Sequence, residues 1–282
     1  MDILSILKIR DFFNFKDWLE DRKYGKRDDL RNLAIRVIKV LNAHDIPVSR
    51  IPWIFPELNF HVKDFKDLDS IVSIISDEFL DNLSSKFFIQ RSWLDRGEGS
   101  PQVQYEHGYD FVNVFNLLTN LKLESNEFVI VYFIAENGTK FVPAKDHDTN
   151  HGIIIVIAFS NDNEPKDRFS YTRYLPLYVG YWNYYKTRMM IKSISLLCFQ
   201  LNLFQNGYFS KLANYEGLKR HFVKEILNEA TNVLWHPDDY IFSSVKSGRR
   251  MDANDAESMH DYLKAIGYYE KILNLSECEW LD

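Results

Sequence analysis

Residues 76–99 read Ser76-Asp77-Glu78-Phe79-Leu80-Asp81-Asn82-Leu83-Ser84-Ser85-Lys86-Phe87-Phe88-Ile89-Gln90-Arg91-Ser92-Trp93-Leu94-Asp95-Arg96-Gly97-Glu98-Gly99. Phe79, Leu80, Leu83 and Phe87 fall at helical spacing, which makes one face apolar. Ile89, Trp93 and Leu94 repeat the pattern on the next segment. Gly97 then stops it, since glycine takes the left-handed residue after a helix without a Cβ penalty. The pattern predicts two short helices joined by a tight turn.

The residues before this pair extend the helical reading. Residues 1–21 carry Ile3, Ile6, Leu7, Phe12, Phe13, Phe15 and Trp18, and Gly25 interrupts the pattern. A helix is predicted over 29–43, where Leu30, Leu33, Ala34, Val37, Val40 and Leu41 follow the i, i+3, i+4, i+7 rule and Asp28 or Asp29 caps the start. Pro47, Pro52 and Pro56 then exclude one long helix, although a short one with Ser49 as cap and Pro52 in its first turn is allowed. Helical pattern resumes near Asp67 with Ile71, Ile74 and Ile75, and again over 104–123 with Phe111, Val114, Phe115 and Leu118.

The style changes at Glu127. Residues 128–134 are β-branched and aromatic, and Glu136-Asn137-Gly138-Thr139 is a hairpin-type turn. Residues 140–142 and 153–159 read as further strands, separated by a polar loop over 146–150; a second polar loop covers 161–166. Residues 127–180 thus suggest a small antiparallel sheet. Helices return over 182–203, 215–234 and 255–275. No internal repeat and no low-complexity tract is evident.

Residues 29–43, 46–58 and 77–95 together resemble the lambda-repressor-like (XRE-type) helix-turn-helix family. Members of that family pack about five short helices and often end in Phe-Gly-Val-x-x-x-Trp-Leu-x-x-Gly. The matching run is Phe87-Phe88-Ile89-Gln90-Arg91-Ser92-Trp93-Leu94-Asp95-Arg96-Gly97-Glu98. About a quarter of the chain is covered. The residue patterns above predict a mixed fold, all-α over 1–123 and α+β with a small antiparallel sheet over 127–282; the resemblance implies that the first is a helix-turn-helix-like DNA-binding domain and the second a sensor or dimerisation domain. It implies double-stranded DNA as partner, with Ser49, Arg50 and Asn59 in the stretch that carries the family's recognition helix. That stretch, 49–59, departs from the family in being rich in proline and large apolar residues.

Charge fits this in part. Net charge is −6, which argues against non-specific coating of nucleic acid. Yet Arg22, Lys23, Lys26, Arg27, Arg31, Arg36 and Lys39 face only Asp28 and Asp29 between 22 and 39, whereas 40–100 hold six basic and ten acidic residues. The basic run either supplies phosphate contacts, through Arg22, Lys23, Lys26, Arg27 and Arg31, or is a solvated helix face. Tyr171, Tyr174, Tyr178, Tyr181, Tyr184 and Tyr185 suit a core, a homodimer interface or a small-molecule ligand surface.

Composition sets the remaining bounds. At 282 residues and 46% hydrophobic, the chain can bury a sizeable core. Cys198 and Cys278 are too few for a disulfide scaffold. The start lacks the pattern of a secretory leader, and the longest apolar runs fall far short of the ~20 residues that span a bilayer. The expectation is a cytoplasmic location and no membrane partner.

Enzyme signatures are sparse. There is no phosphate loop, no Gly-x-Gly-x-x-Gly, no nucleophile elbow and no His-Glu-x-x-His, so no cofactor and no catalytic residue is assigned. His147 and His151, four apart among Asp146, Asp148 and Asn150, are the best metal pair, but loop residues surround them; a polar hairpin explains them as well. Trp235-His236-Pro237-Asp238-Asp239 reads as a helix stop and cap, or as a small polar site. The leading expectation is a dimeric DNA-binding regulator. An interaction module without DNA binding is the alternative, and a metal-dependent enzyme stands behind both.

Overall fold

A computed structural model describes residues 29–124, 127–139, 141, 151–160, 171–240 and 253–276. The chain divides into two compact units, Met1–Val103 with Glu164–Arg173, and Gln104–Asn163 with Tyr174–Asp282. The helical start and the α+β remainder follow the predicted fold class. The division falls at 103/104, earlier than the break expected over 123–127, and the helix expected over 1–21 lies outside the described residues.

The helical unit contains α1 (Asp29–Ala43), α2 (Ile51–Ile54), α3 (Leu68–Ile74), α4 (Asp77–Phe87) and α5 (Arg91–Arg96). Helix α1 buries Ala34, Val37, Ile38, Val40 and Leu41, the stripe its spacing predicts, and packs against α3 and α5. Helix α4 begins where the Ser76 hydroxyl accepts the Phe79 N–H at 3.1 Å. Phe79 is fully buried, with the Phe60, Phe55 and Phe65 rings at 4.9, 5.5 and 6.4 Å, all edge-on.

The turn from α4 to α5 has an unusual occupant. Phe88 sits at φ +54°, ψ +44°, the left-handed region, where the family pattern has glycine. The Ile89 N–H donates to the Ser84 carbonyl at 2.9 Å, so the backbone closes as it does with glycine. Gly97 (φ +74°) ends α5 as expected, its N–H donating to the Trp93 carbonyl at 2.7 Å. Residues 171–173 belong to this unit rather than to the later domain. Tyr171 lies 5.9 Å from the Phe87 ring, His44 Nδ1 is 2.8 Å from the Thr172 carbonyl, and Arg173 donates to the Lys86 carbonyl at 3.2 Å.

The second unit contains α6 (Phe111–Glu124), β1 (Phe128–Ala135), β2 (Gly152–Ser160), β3 (Thr172–Tyr181, from Tyr174 on), α7 (Tyr185–Gln200), β4 (Phe204–Ser210), α8 (Tyr215–Arg220), α9 (Val223–Asn228), β5 (Ala230–Trp235), α10 (Ala253–Ala265) and α11 (Tyr269–Leu273). The strands order as β3-β2-β1-β4-β5. β1 is antiparallel to β2 and parallel to β4, and β4 is antiparallel to β5. The sheet is therefore mixed and reaches residue 235, where an antiparallel sheet within 127–180 was expected. The helix expected over 215–234 is two six-residue helices and a strand, because the backbone is extended at His221 and Phe222. The helix expected over 255–275 breaks at Gly267 (φ +74°). Of the strand expected over 140–142, Lys140 and Val142 lie outside the described residues, and Phe141 is in no strand.

β2 is buried on both faces along its whole length. One face packs Ile134, Ile154 and Val156 on Leu218, Val223 and Ile226 of α8 and α9. Helix α7 packs against β4, and α6, α10 and α11 pack against α7. Tyr132 and Tyr208 meet at 5.6 Å beside the first cluster. Burial, with Tyr174 and Tyr208 adding to it, raises the Tyr132 phenol from 10.0 to about 12.

Two outcomes are expected. Phe79→Ala should cost about 3–5 kcal/mol in urea unfolding followed by circular dichroism, since it empties the centre of an aromatic cluster. A phenol raised by folding contributes stability that is intact below its unfolded value. Urea midpoints should therefore hold up to pH 10 and fall between pH 10 and 12, less steeply in Tyr132→Phe.

Candidate functional site

The residues expected to meet DNA divide sharply. Arg22, Lys23, Lys26 and Arg27 lie outside the described residues. Arg31, on α1, turns to Asp69 of α3, its Nη2 at 2.8 Å and Nε at 3.3 Å from one carboxylate oxygen. Ser49 and Arg50 are exposed in the single 3-10 turn Val48–Arg50. Asn59 is exposed and left-handed (φ +51°) after the turn Pro56–Leu58. No multi-turn recognition helix forms over 49–59. Pro52 and Pro56 each open a new turn, and Ile51, Ile54 and Phe55 point into the core.

Most other cations of this unit bind its own groups. Arg36 donates to the Leu94 carbonyl and, at 2.7 Å, to the Asp95 carbonyl, covering the open end of α5. Burial there lowers its pKa despite the nearby Asp95 and Asp29. Lys86 Nζ donates to the Ile54 carbonyl at 2.9 Å. Arg91 reaches Asp95 at 2.9 Å, Asp77 at 2.7 Å and also Asp81, and these hydrogen bonds, Asp95 first, raise its pKa. Arg50 and Lys63 are different. Both are exposed, and their turns, Val48–Arg50 and Val62–Phe65, pack against each other.

The second unit holds a cavity of about 760 Å³. Its buried lining includes Tyr178 and Val179 at the end of β3 and Thr187, Met189 and Met190 at the start of α7. Tyr181, Tyr184, Tyr185 and Tyr215 also line it and are 44–56% exposed, so they form its rim. Tyr109 and Tyr262 complete the aromatic wall. The Tyr178 hydroxyl hydrogen-bonds Thr187 Oγ1 at 2.9 Å, and the Tyr109 hydroxyl donates to the Val179 carbonyl at 3.0 Å.

Burial raises the Tyr178 phenol, and burial with Asp110 nearby raises that of Tyr262, so both remain neutral donors near pH 7. Among the described residues of the lining, Lys186 is the charged one. It lies in the first turn of α7, at the positive end of that helix's dipole. Gly180 makes the floor possible: a Cβ there would stand 2.8 Å from Thr187 Oγ1 and 2.9 Å from the Tyr178 ring.

The sequence pointed to part of this site. Tyr178, Tyr181, Tyr184 and Tyr185 line the cavity, whereas Tyr174 lies in the sheet core and Tyr171 in the helical unit. Tyr109, Tyr215 and Tyr262 were missed, being far apart along the chain with no local pattern to join them. His147 lies outside the described residues. His151 accepts the Trp182 N–H through its backbone carbonyl, and His236 precedes a 3-10 turn whose Asp239 N–H it accepts. Among the described residues no group of three or more His, Cys, Asp or Glu side chains is placed to hold a metal, and no helix is long and apolar enough to cross a membrane.

Gly180→Ala should force Thr187 and Tyr178 apart and cost about 1–3 kcal/mol, read as a lower urea midpoint by tyrosine fluorescence. Comparison with known proteins gives no match: no family model, no curated protein and no solved structure matches this chain.

Proposed function

We propose that this chain is a DNA-binding transcriptional regulator, with the helical unit as its duplex-binding part and the second unit as a dimerisation or sensor domain. The observation that carries the reading is the pair of touching turns with Arg50 and Lys63 exposed on them, flanked by exposed Ser49 and Asn59. Two cations at adjoining backbone turns suit successive phosphates of one strand, and the short polar side chains beside them suit further phosphate or base-edge contacts. The basic run of Arg22, Lys23, Lys26 and Arg27 adds charge in sequence to the same domain. The repressor-like pattern over 87–98 supports this assignment.

A second reading has its own observation. Residues 29–103 hold nine basic and eleven acidic side chains, and 49–59 lack a continuous recognition helix. Those features favour an interaction module that keeps the helical shape without binding DNA.

Gel shift of the full chain on its own upstream DNA, at rising salt, separates the two. The regulator reading expects affinity to fall steeply with salt. Arg50→Ala with Lys63→Ala should lower the slope of log K against log salt by about 1.8, as for two lost phosphate contacts. No shift of duplex at low salt, or an unchanged slope in the double variant, sinks the reading and leaves the interaction module.

A further inference from the structure

We infer that the tyrosine-lined cavity of the second unit binds a flat aromatic molecule bearing one carboxylate. The inference rests on the sensor half of the proposed function, and binding measured without DNA keeps its failure apart from that of duplex recognition.

A volume of about 760 Å³ falls in the range of small-molecule sites. The walls are aromatic rings and two methionines, which suit a planar apolar body held by stacking and by sulfur contact. Tyrosine rings alone also suit a cation. Here the charge of the lining decides against one. Among its described residues none is a carboxylate, and Lys186 is a cation. The Arg188 guanidinium already lies over the Tyr185 ring at 5.9 Å, and Lys219 Nζ over the Tyr215 ring at 4.4 Å. Lys219 is paired with Glu216 at 3.4 Å and Asp110 acts on Tyr262, so the charge of the lining itself is that of Lys186, and a carboxylate there meets an ammonium and phenols able to donate to it. Tyr178 and Tyr109 spend their hydroxyls on Thr187 and Val179, so the exposed Tyr181, Tyr184 and Tyr185 are the phenols available to the ligand's polar end.

The experiment is calorimetric titration of the full chain with 2-naphthoate, its neutral analogue 2-naphthamide, and the cation naphthyl-trimethylammonium. Saturable binding of naphthoate is expected, with naphthamide about tenfold weaker and the cation weaker still. Lys186→Gln, at an exposed position that leaves the fold intact, should weaken naphthoate about tenfold and leave naphthamide unchanged. Tyr184→Ala should weaken both. The inference is overturned if naphthoate does not saturate up to about 1 mM, if the cation binds as tightly as the acid, or if Lys186→Gln changes nothing.

Discussion

Arg91 stands among Asp77, Asp81 and Asp95, and through them ties the first two turns of α4 to α5. Arg36 closes the other end of α5 by covering its last carbonyls. Arg91 thus bridges the pair and Arg36 joins α5 to α1, each through a planar donor fork that suits several acceptors at once. The same arrangement compensates these arginines with the unit's own acceptors. The surface of the pair therefore carries three aspartates beside compensated arginines, and Arg50 and Lys63 stand exposed on the neighbouring turns.

The second unit solves a different problem. Its sheet is buried on both faces at β2, which leaves function to the ends of the strands and the helix that follows them. Tyr178, Gly180 and Tyr181 close β3, and Tyr184, Tyr185 and Lys186 open α7. A tight connection between strand and helix therefore sets aromatic groups and one cation around a single space. The buried Tyr178–Thr187 hydrogen bond fixes the floor, and Gly180 leaves the room for it.

The sequence was most legible where a pattern is local. The stripe of α1, the pair α4–α5 with Gly97, and the apolar runs of β1 and β2 all follow from spacing within a few residues. Legibility failed where long-range pairing overrides local preference. Residues 204–210, Phe-Gln-Asn-Gly-Tyr-Phe-Ser, carry an Asn-Gly turn signal, yet they form a strand because β1 and β5 bond to both sides. Val223, Ile226 and Leu227 keep helical spacing, but the chain bends at His221 and leaves the helix before β5. Four of the cavity's seven tyrosines were visible as a run, and Tyr109, Tyr215 and Tyr262 are brought to it only by the fold.

The parallel pairing of β1 with β4 has a consequence for how the polypeptide is made. β1 ends at Ala135 and its partner begins at Phe204, so both β2 and β3 and the whole of α7 emerge from the ribosome in between. Until then one border of β1, with its Val, Ile and Phe side chains, has no neighbour to hydrogen-bond with. A nascent chain of this length carries an open, sticky border through much of its synthesis, and chaperone capture or misassembly competes with completion of the sheet.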